Sequence, residues 1–401
     1  MKLRVIGSTQ PGFTLPVDEA LLFSGREAGI CYMPDDFDAL LAEPEKRTLA
    51  RVQGTVGSGH HSVAGHVSYN LILEGLPKIV AMLLNNEHDY NTSEKSARYT
   101  KMGVDPDDES TWEILAEVPE PVGVERDIYE KWIDKFARLI LAEYPRLEAK
   151  TLDKLAKENA RYFISVFTPA TTMGYTSNLR QLNYIVGFCD SFLAETSSNP
   201  FLIRLRPWVR ALRDALYGVV NVDGLRDNKG RQFSLFSHRT HFEEFGENYS
   251  TNYFGTFAQL AQAQRHRTLW YEMKIPYLDS CTFFVPPIIQ DEATRQEYLA
   301  DMETLKENFP QGMLVDINER GTPEAFLLKC EERLCGAAQL EICHQTARTL
   351  AKYMEGCVLK GNPFVYKMLA AYNGKTKCQF GHYRCDRPCP LGPQNVYTRK
   401  I

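Results

Sequence analysis

HHSVAGHVSYNLILEGLPKIVAMLLNNEH, residues 60–88, and HFEEFGENYSTNYFGTFAQLAQAQRHR, residues 241–267, decide how this chain folds. The first stretch is a histidine-rich entry, an alternating strand over 67–73 and, past Gly75, a helix from Pro77 onward. The second repeats a polar entry, an aromatic alternating run and a helix that closes on Arg265-His266-Arg267. The side chains differ and the order of elements agrees. That is the signature of an internal repeat, and it predicts an α+β chain of two tandem units, each an antiparallel sheet with packed helices.

The sequence around these stretches extends the pattern. KENARYFISVFTPATTMGYTSNLRQLNYIVGFCDSFL, from residue 157, gives an apolar run, a Pro/Thr/Gly connection and a helix starting near Ser177. A helix over 201–220 follows, and NVDGLRDNKGRQ after it looks like an exposed linker. The expected units are therefore 1–220 and 221–401. Near the end, Thr322-Pro323-Glu324 opens one long amphipathic pattern that runs to about residue 354 and places Cys330, Cys335, Cys343 and Cys357 as small core residues.

Composition narrows the function classes. The chain has 401 residues and a net charge of -5, from 46 basic and 51 acidic side chains, so it carries no overall basic footprint for nucleic acid. No apolar window is long enough to span a bilayer, and the N-terminus lacks the pattern of a cleaved leader, so a cytoplasmic location is expected. Ten cysteines spread along such a chain suggest free thiols or a metal site rather than a disulfide framework. Cys378, His382, Cys385 and Cys389 provide four candidate ligands for zinc, with reduced surface thiols as the alternative.

Anionic ligands must then be captured locally. Ser96-Ala97-Arg98-Tyr99 offers a hydroxyl, a small residue that lets backbone approach, and a guanidinium fork, which together suit phosphate. Arg265-His266-Arg267 adds a cationic triplet, although the same triplet at a helix end also serves C-terminal carbonyls and the macrodipole. In combination, the triplet, the turn with Glu94 two residues ahead of Ser96, Asn178-Leu179-Arg180 and Ala338-Gln339-Leu340-Glu341-Ile342 resemble the flavin-dependent thymidylate synthases.

The two halves match that family's motif order with complementary losses. The first has His60-His61-Ser62 and His66 but places Asn86-Glu87-His88 where the triplet would stand, and then keeps Glu94 through Tyr99, Ala160-Arg161 and Asn178-Leu179-Arg180. The second keeps Gln262, the triplet, Arg333 and residues 338–342, and has Ile275-Pro276-Tyr277 in place of the serine-arginine turn. The resemblance implies that Ser96, Ala97, Arg98 and Arg161 hold a dUMP phosphate, with Gln262, Arg265 and Arg333 on the nucleotide from the other wall. It implies FAD on His66, Asn178, Arg180, Arg265, His266 and Arg267, and charge stabilisation by Arg265 and Arg333, with Glu94 orienting water or the base.

The implied reaction is reductive methylation of dUMP at C5, with methylenetetrahydrofolate and NADPH as co-substrates, in a homodimer that imitates the family tetramer. Alternatives on the same scaffold are another pyrimidine nucleotide, hydroxymethyl transfer, or binding without turnover. Three departures bear on this choice: Gly65 where a glutamate usually precedes the second histidine, Phe245 in place of the second-half histidine, and Trp270 after the triplet. Trp270 there could stack on a ring or block one.

Overall fold

The structure, a computed structural model, describes residues 1–9, 17–31, 36–95, 121–222, 224–225, 231–237, 242–385 and 389–401. The chain runs β1 (Lys2–Ser8), α1 (Val17–Gly29), α2 (Phe37–Leu41), α3 (Glu45–Gly57), β2 (Ser68–Leu76), α4 (Lys78–Asn86) and β3 (Tyr90–Glu94). Next come α5 (Pro121–Glu143), α6 (Ala149–Ala160), β4 (Thr171–Asn178), α7 (Leu179–Ala194) and α8 (Pro200–Val220). The second half follows with β5 (Glu244–Phe245), β6 (Tyr249–Thr256), α9 (Phe257–Ala263), β7 (Trp270–Met273), α10 (Glu292–Thr304) and β8 (Leu314–Gly321). It ends with α11 (Pro323–Arg333), α12 (Leu340–Leu359) and α13 (Pro363–Ala370).

Both sheets have four strands, and their orders correspond: β1-β2-β4-β3 and β5-β6-β8-β7, antiparallel throughout. The expected α+β class with two antiparallel sheets is what the chain forms. Alternation sets one face of each sheet: Tyr69, Leu71 and Leu73 of β2 are buried while the residues between them are only partly so. Every residue of α4 from Ile79 to Asn85 is buried, so this helix is a core element of the first unit. Its counterpart α9 buries Phe257 through Ala261 and Ala263, which fixes where the triplet behind it emerges.

The compact units differ from a single cut at residue 220. One comprises 1–95 and 169–234, the other 96–168 and 235–401. The segment between β3 and β4, which the linear reading gives to the first repeat, thus belongs to the second unit. Aromatic packing explains this. The Trp132 ring of α5 stacks on Phe163 at 5.3 Å and meets Tyr298 of α10 edge-on at 5.1 Å, with all three rings buried. Trp132 Nε1 also donates to Asp301 Oδ2 at 2.6 Å, satisfying the indole where it is buried.

Two boundaries also move. α7 starts after Asn178, whose Oδ1 accepts from the Gln181 amide at 2.8 Å, rather than at Ser177. The long pattern after Thr322 is two helices, α11 and α12, because the carbonyls of Gly336 and Ala338 in the break accept from Arg399, each at 2.7 Å, instead of from helix amides. Cys335 therefore lies in a turn and is only half-buried, whereas Cys330, Cys343 and Cys357 are core residues on helices. No helix among the described residues is long and apolar enough to cross a membrane.

Candidate active site

The second unit holds most of the sequence-derived nucleotide set. Thr256 caps α9 by accepting from the Gln259 amide at 3.0 Å, and the helix ends at Gln264, so Arg265-His266-Arg267 occupies the turn before edge strand β7. Arg265 is half-buried, His266 buried and Arg267 exposed. Gln262, on the last turn of α9, has a buried Oε1 with no hydrogen-bond partner among the described residues.

His266 is the pivot of this turn. Its Nε2 accepts a hydrogen bond from Arg333 Nε at 2.7 Å, so the imidazole is neutral with its remaining proton on Nδ1. Burial foremost, then the charges of Arg333 and Lys329, lower its pKa to about 2. Lys329 lies one helical turn before Arg333 on α11. Its Nζ is completely buried and bonded to Glu319 Oε2 at 2.6 Å, while Tyr249 and Tyr253 donate their hydroxyls to the same carboxylate at 2.8 Å each. A buried ion pair with its other lone pairs filled gives the helix a fixed rotation, and this sets the direction from which Arg333 reaches the triplet.

Arg161 enters from the first half of the sequence. It ends α6, is 7% exposed, and donates through Nη2 to Gln339 Oε1. Gln339 Nε2 donates to Tyr162 Oη and to Glu341 Oε1, both at 2.8 Å, and that Glu341 oxygen also accepts from Tyr162 at 2.6 Å and Thr256 at 2.9 Å. Burial raises the Glu341 pKa against these lowering hydrogen bonds. Arg161 Nε is buried without a hydrogen-bond partner among the described residues, which leaves one guanidinium edge suited to an anionic oxygen. The Ala-Arg and Ala-Gln-x-Glu-Ile motifs are thus brought together in one buried network.

The remaining residues divide as follows. Ser96, Ala97 and Arg98 lie outside the described residues. His66, Asn178 and Arg180 belong to the first unit. His66 is exposed, with its carbonyl accepting from Thr9 Oγ1 at 3.3 Å, and Asn178 caps α7. Arg180 pairs with Asp89 at 2.8 Å, yet its Nε is buried without a hydrogen-bond partner among the described residues. Arg180 keeps 29% of its side chain exposed, and Arg267 in the other unit is exposed.

Two expectations change. Glu94 has a completely buried side chain held by Lys78 Nζ and, at 3.1 Å, by Asn85 Nδ2, an arrangement that anchors β3 to α4. The tail does not gather Cys378, His382, Cys385 and Cys389 for zinc: among the described residues no three His, Cys, Asp or Glu side chains form a metal-holding group. His382 Nε2 instead meets Glu331 at 3.1 Å and Cys378 Sγ lies 3.3 Å from Thr376 Oγ1, so these two candidates are turned to different partners. The sequence reading missed Tyr162, Thr256, Glu319 and Lys329. Only Gln339 and Glu341 stood in a quoted motif, and nothing in linear spacing shows that a polar helix residue is buried.

Residues 25–190 match the family model described as thymidylate synthase complementing protein. The match lies within the first half of the chain and leaves residues 191–401 outside it. Two curated relatives are flavin-dependent thymidylate synthases of Pyrococcus furiosus and Pyrococcus abyssi, each 24% identical, over 153 and 154 residues respectively. Each alignment covers 38% of this chain, which spans about 57% of the length of either relative. Among solved structures, the UMP/dUMP methylase PolB from Streptomyces cacaoi aligns at 14% identity with a TM-score of 0.36, over 54% of this chain and 90% of that one. Thymidylate synthase X from Helicobacter pylori, solved with FAD and dUMP, aligns at 18% identity with a TM-score of 0.31, over 55% and 94%.

Proposed function

We propose that this chain catalyses flavin-dependent reductive methylation of dUMP at C5, using methylenetetrahydrofolate as carbon donor and NADPH as reductant. The observation that carries the reading is the meeting, within the second unit, of Arg161 with Gln339 and of Arg333 with the triplet histidine. These are the arginines that the family resemblance assigns to the nucleotide. An amide oxygen accepts from Arg161, with the buried Glu341 carboxyl nearby, and a neutral imidazole accepts from Arg333.

In this reading Arg161 grips the nucleotide phosphate together with Ser96, Ala97 and Arg98, while Gln262 accepts or donates at the pyrimidine edge. Arg265 and Arg333 would stabilise negative charge that develops on the ring carbonyls when a nucleophile adds at C6 and C5 takes on enolate character, the usual use of a fixed cation in a site partly shielded from water. FAD, when bound, supplies the hydride chemistry. Within the second unit, Arg265 and Arg267 would hold its pyrophosphate, with His266 beside it. Glu94, locked to Lys78, positions β3 instead of moving a proton. Two copies of the chain form the working assembly.

The test is calorimetric titration of dUMP into wild type, Arg161→Ala and Arg333→Ala. Each substitution should weaken binding by roughly tenfold or more, the loss expected for one charge-assisted contact. His266→Ala should release flavin, read from the visible spectrum after desalting, before it affects dUMP. Unchanged dUMP affinity in both arginine variants would remove the nucleotide assignment.

A further inference from the structure

The sequence pattern after Thr322 favours one continuous helix, yet the chain interrupts it between Arg333 and Leu340. In an unbroken helix the carbonyls of Gly336 and Ala338 would accept from the amides four residues on, those of Leu340 and Ile342. Arg399 takes both carbonyls instead, with Nη1 on Gly336 and Nη2 on Ala338. The residue is 4% exposed, and buried carbonyls require a donor, so the backbone just ahead of Gln339 depends on this one guanidinium fork. A cation at a helix start runs against the macrodipole, so Arg399 stands here for the carbonyls of the break and not for α12.

Gln339 follows the break directly. It holds the cap position of α12 without capping the helix through its side chain, because that amide is engaged elsewhere: Oε1 accepts from Arg161, and Nε2 donates to Tyr162 and Glu341. The Ala338 carbonyl and the Gln339 nitrogen belong to one planar peptide group, so a bond to the first orients the second. Arg399 is itself braced by its neighbours in sequence. Tyr397 donates its hydroxyl to the Lys375 carbonyl, the Lys400 amide donates to Tyr144 Oη at 3.1 Å, and Lys400 Nζ pairs with Glu143, the last residue of α5, at 2.7 Å. All of these residues lie within the second unit.

We infer that Arg399 is a positioning residue for the nucleotide: it holds the break between α11 and α12, fixes the peptide of Gln339, and through Gln339 sets the direction of the Arg161 guanidinium. It acts through Gln339 and not on a ligand. The role in binding rests on the assignment of Arg161 to the dUMP phosphate, whereas the coupling of Arg399 to Arg161 does not.

The test is a double-mutant cycle on full-length protein: wild type, Arg161→Ala, Arg399→Met and the double variant, each titrated calorimetrically with dUMP. Arg399→Met should weaken binding about tenfold when Arg161 is present and by less than about twofold when it is absent, since a residue that acts through another loses its effect with it. Hydrogen exchange on the ligand-free proteins reads the coupling without dUMP: in Arg399→Met the amides of residues 336–343 and of residues 159–164 should both exchange faster. Arg399→Lys keeps the cation but not the fork, should fall between wild type and Arg399→Met in both readouts, and carries the test if Arg399→Met does not fold. Equal losses of dUMP affinity in the two backgrounds would make Arg399 a structural residue only and overturn the inference, as would unchanged exchange at residues 159–164. Unchanged dUMP affinity in Arg161→Ala removes the nucleotide assignment instead, and faster exchange at residues 159–164 then still supports the coupling.

Discussion

The two sheets share one strand order, yet the turns behind their central helices have become opposites. After α4, Glu87 is buried and accepts from the Ser234 amide and hydroxyl, each at 2.9 Å, so the turn pins a neighbouring loop. After α9, His266 is buried and accepts from Arg333, so the turn collects cations. The first turn is tied to its own unit by a carboxyl group, and the second holds the Arg333 guanidinium on a neutral ring. A repeated backbone leaves the chemistry to one or two residues at an equivalent position, and one copy of the turn can give up ligand contact while keeping its structural anchor.

The most severe way to break this comparison is to remove the ion pair behind the cationic turn. Lys329→Met leaves Glu319 charged and buried without its cation, and should destabilise the protein by about 3–5 kcal/mol in chemical denaturation. Lys78→Met in the first unit should cost less, roughly 1–3 kcal/mol, because Lys78 keeps 18% of its side chain in solvent and Asn85 still serves Glu94. Equal losses would mean that the second unit's turn is no more rigidly built than the first.

The two turns should also respond to pH with opposite sign. Burial foremost raises Glu87 from 4.5 to about 7, against hydrogen bonds from Ser234 and the charge of Arg231. A raised folded-state pKa gives a contribution fully present below about pH 4.5 and lost as pH climbs to about 7. His266 is depressed from 6.5 to about 2, so its contribution is present above pH 6.5 and lost as pH falls toward 2. Glu87→Gln should therefore raise stability near pH 8 by roughly 1–3 kcal/mol and flatten the neutral limb. His266→Asn should flatten the acid limb, with thermal unfolding from pH 4 to 8 as the readout of both. The His266 ring carbons should show no titration by NMR between pH 5 and 9.

The smallest expected difference concerns the helix starts at equivalent sheet ends. Asn178→Ala and Thr322→Ala each remove a side-chain cap, accepting from Gln181 and Ala325, and each should cost about 1 kcal/mol.

Much of this comparison was legible in the sequence, because it rests on local signals. Alternation over 67–73, Pro77 before α4 and Thr322 before α11 marked a strand, two helix starts and the matched order of elements. The triplet, Arg161 and Arg333 were visible as motif residues. What linear reading could not supply was which unit the segment after β3 would join, since that is decided by Trp132 finding Phe163 and Tyr298 far along the chain. Nor could it show that Glu94 is fastened to Lys78, or that Cys378 and His382 turn to different neighbours. Such pairings are products of tertiary packing, and residue type alone does not separate a buried anchor from a catalytic carboxylate or a metal ligand.

The central claim is that the cationic turn of the second unit serves nucleotide methylation. The most direct measurement is the mass of the nucleotide after purified protein is incubated with dUMP, methylenetetrahydrofolate, FAD and NADPH at low oxygen. A methyl-sized gain, lost in Arg333→Ala, is the predicted result. Unchanged dUMP with folded, flavin-loaded protein would contradict it.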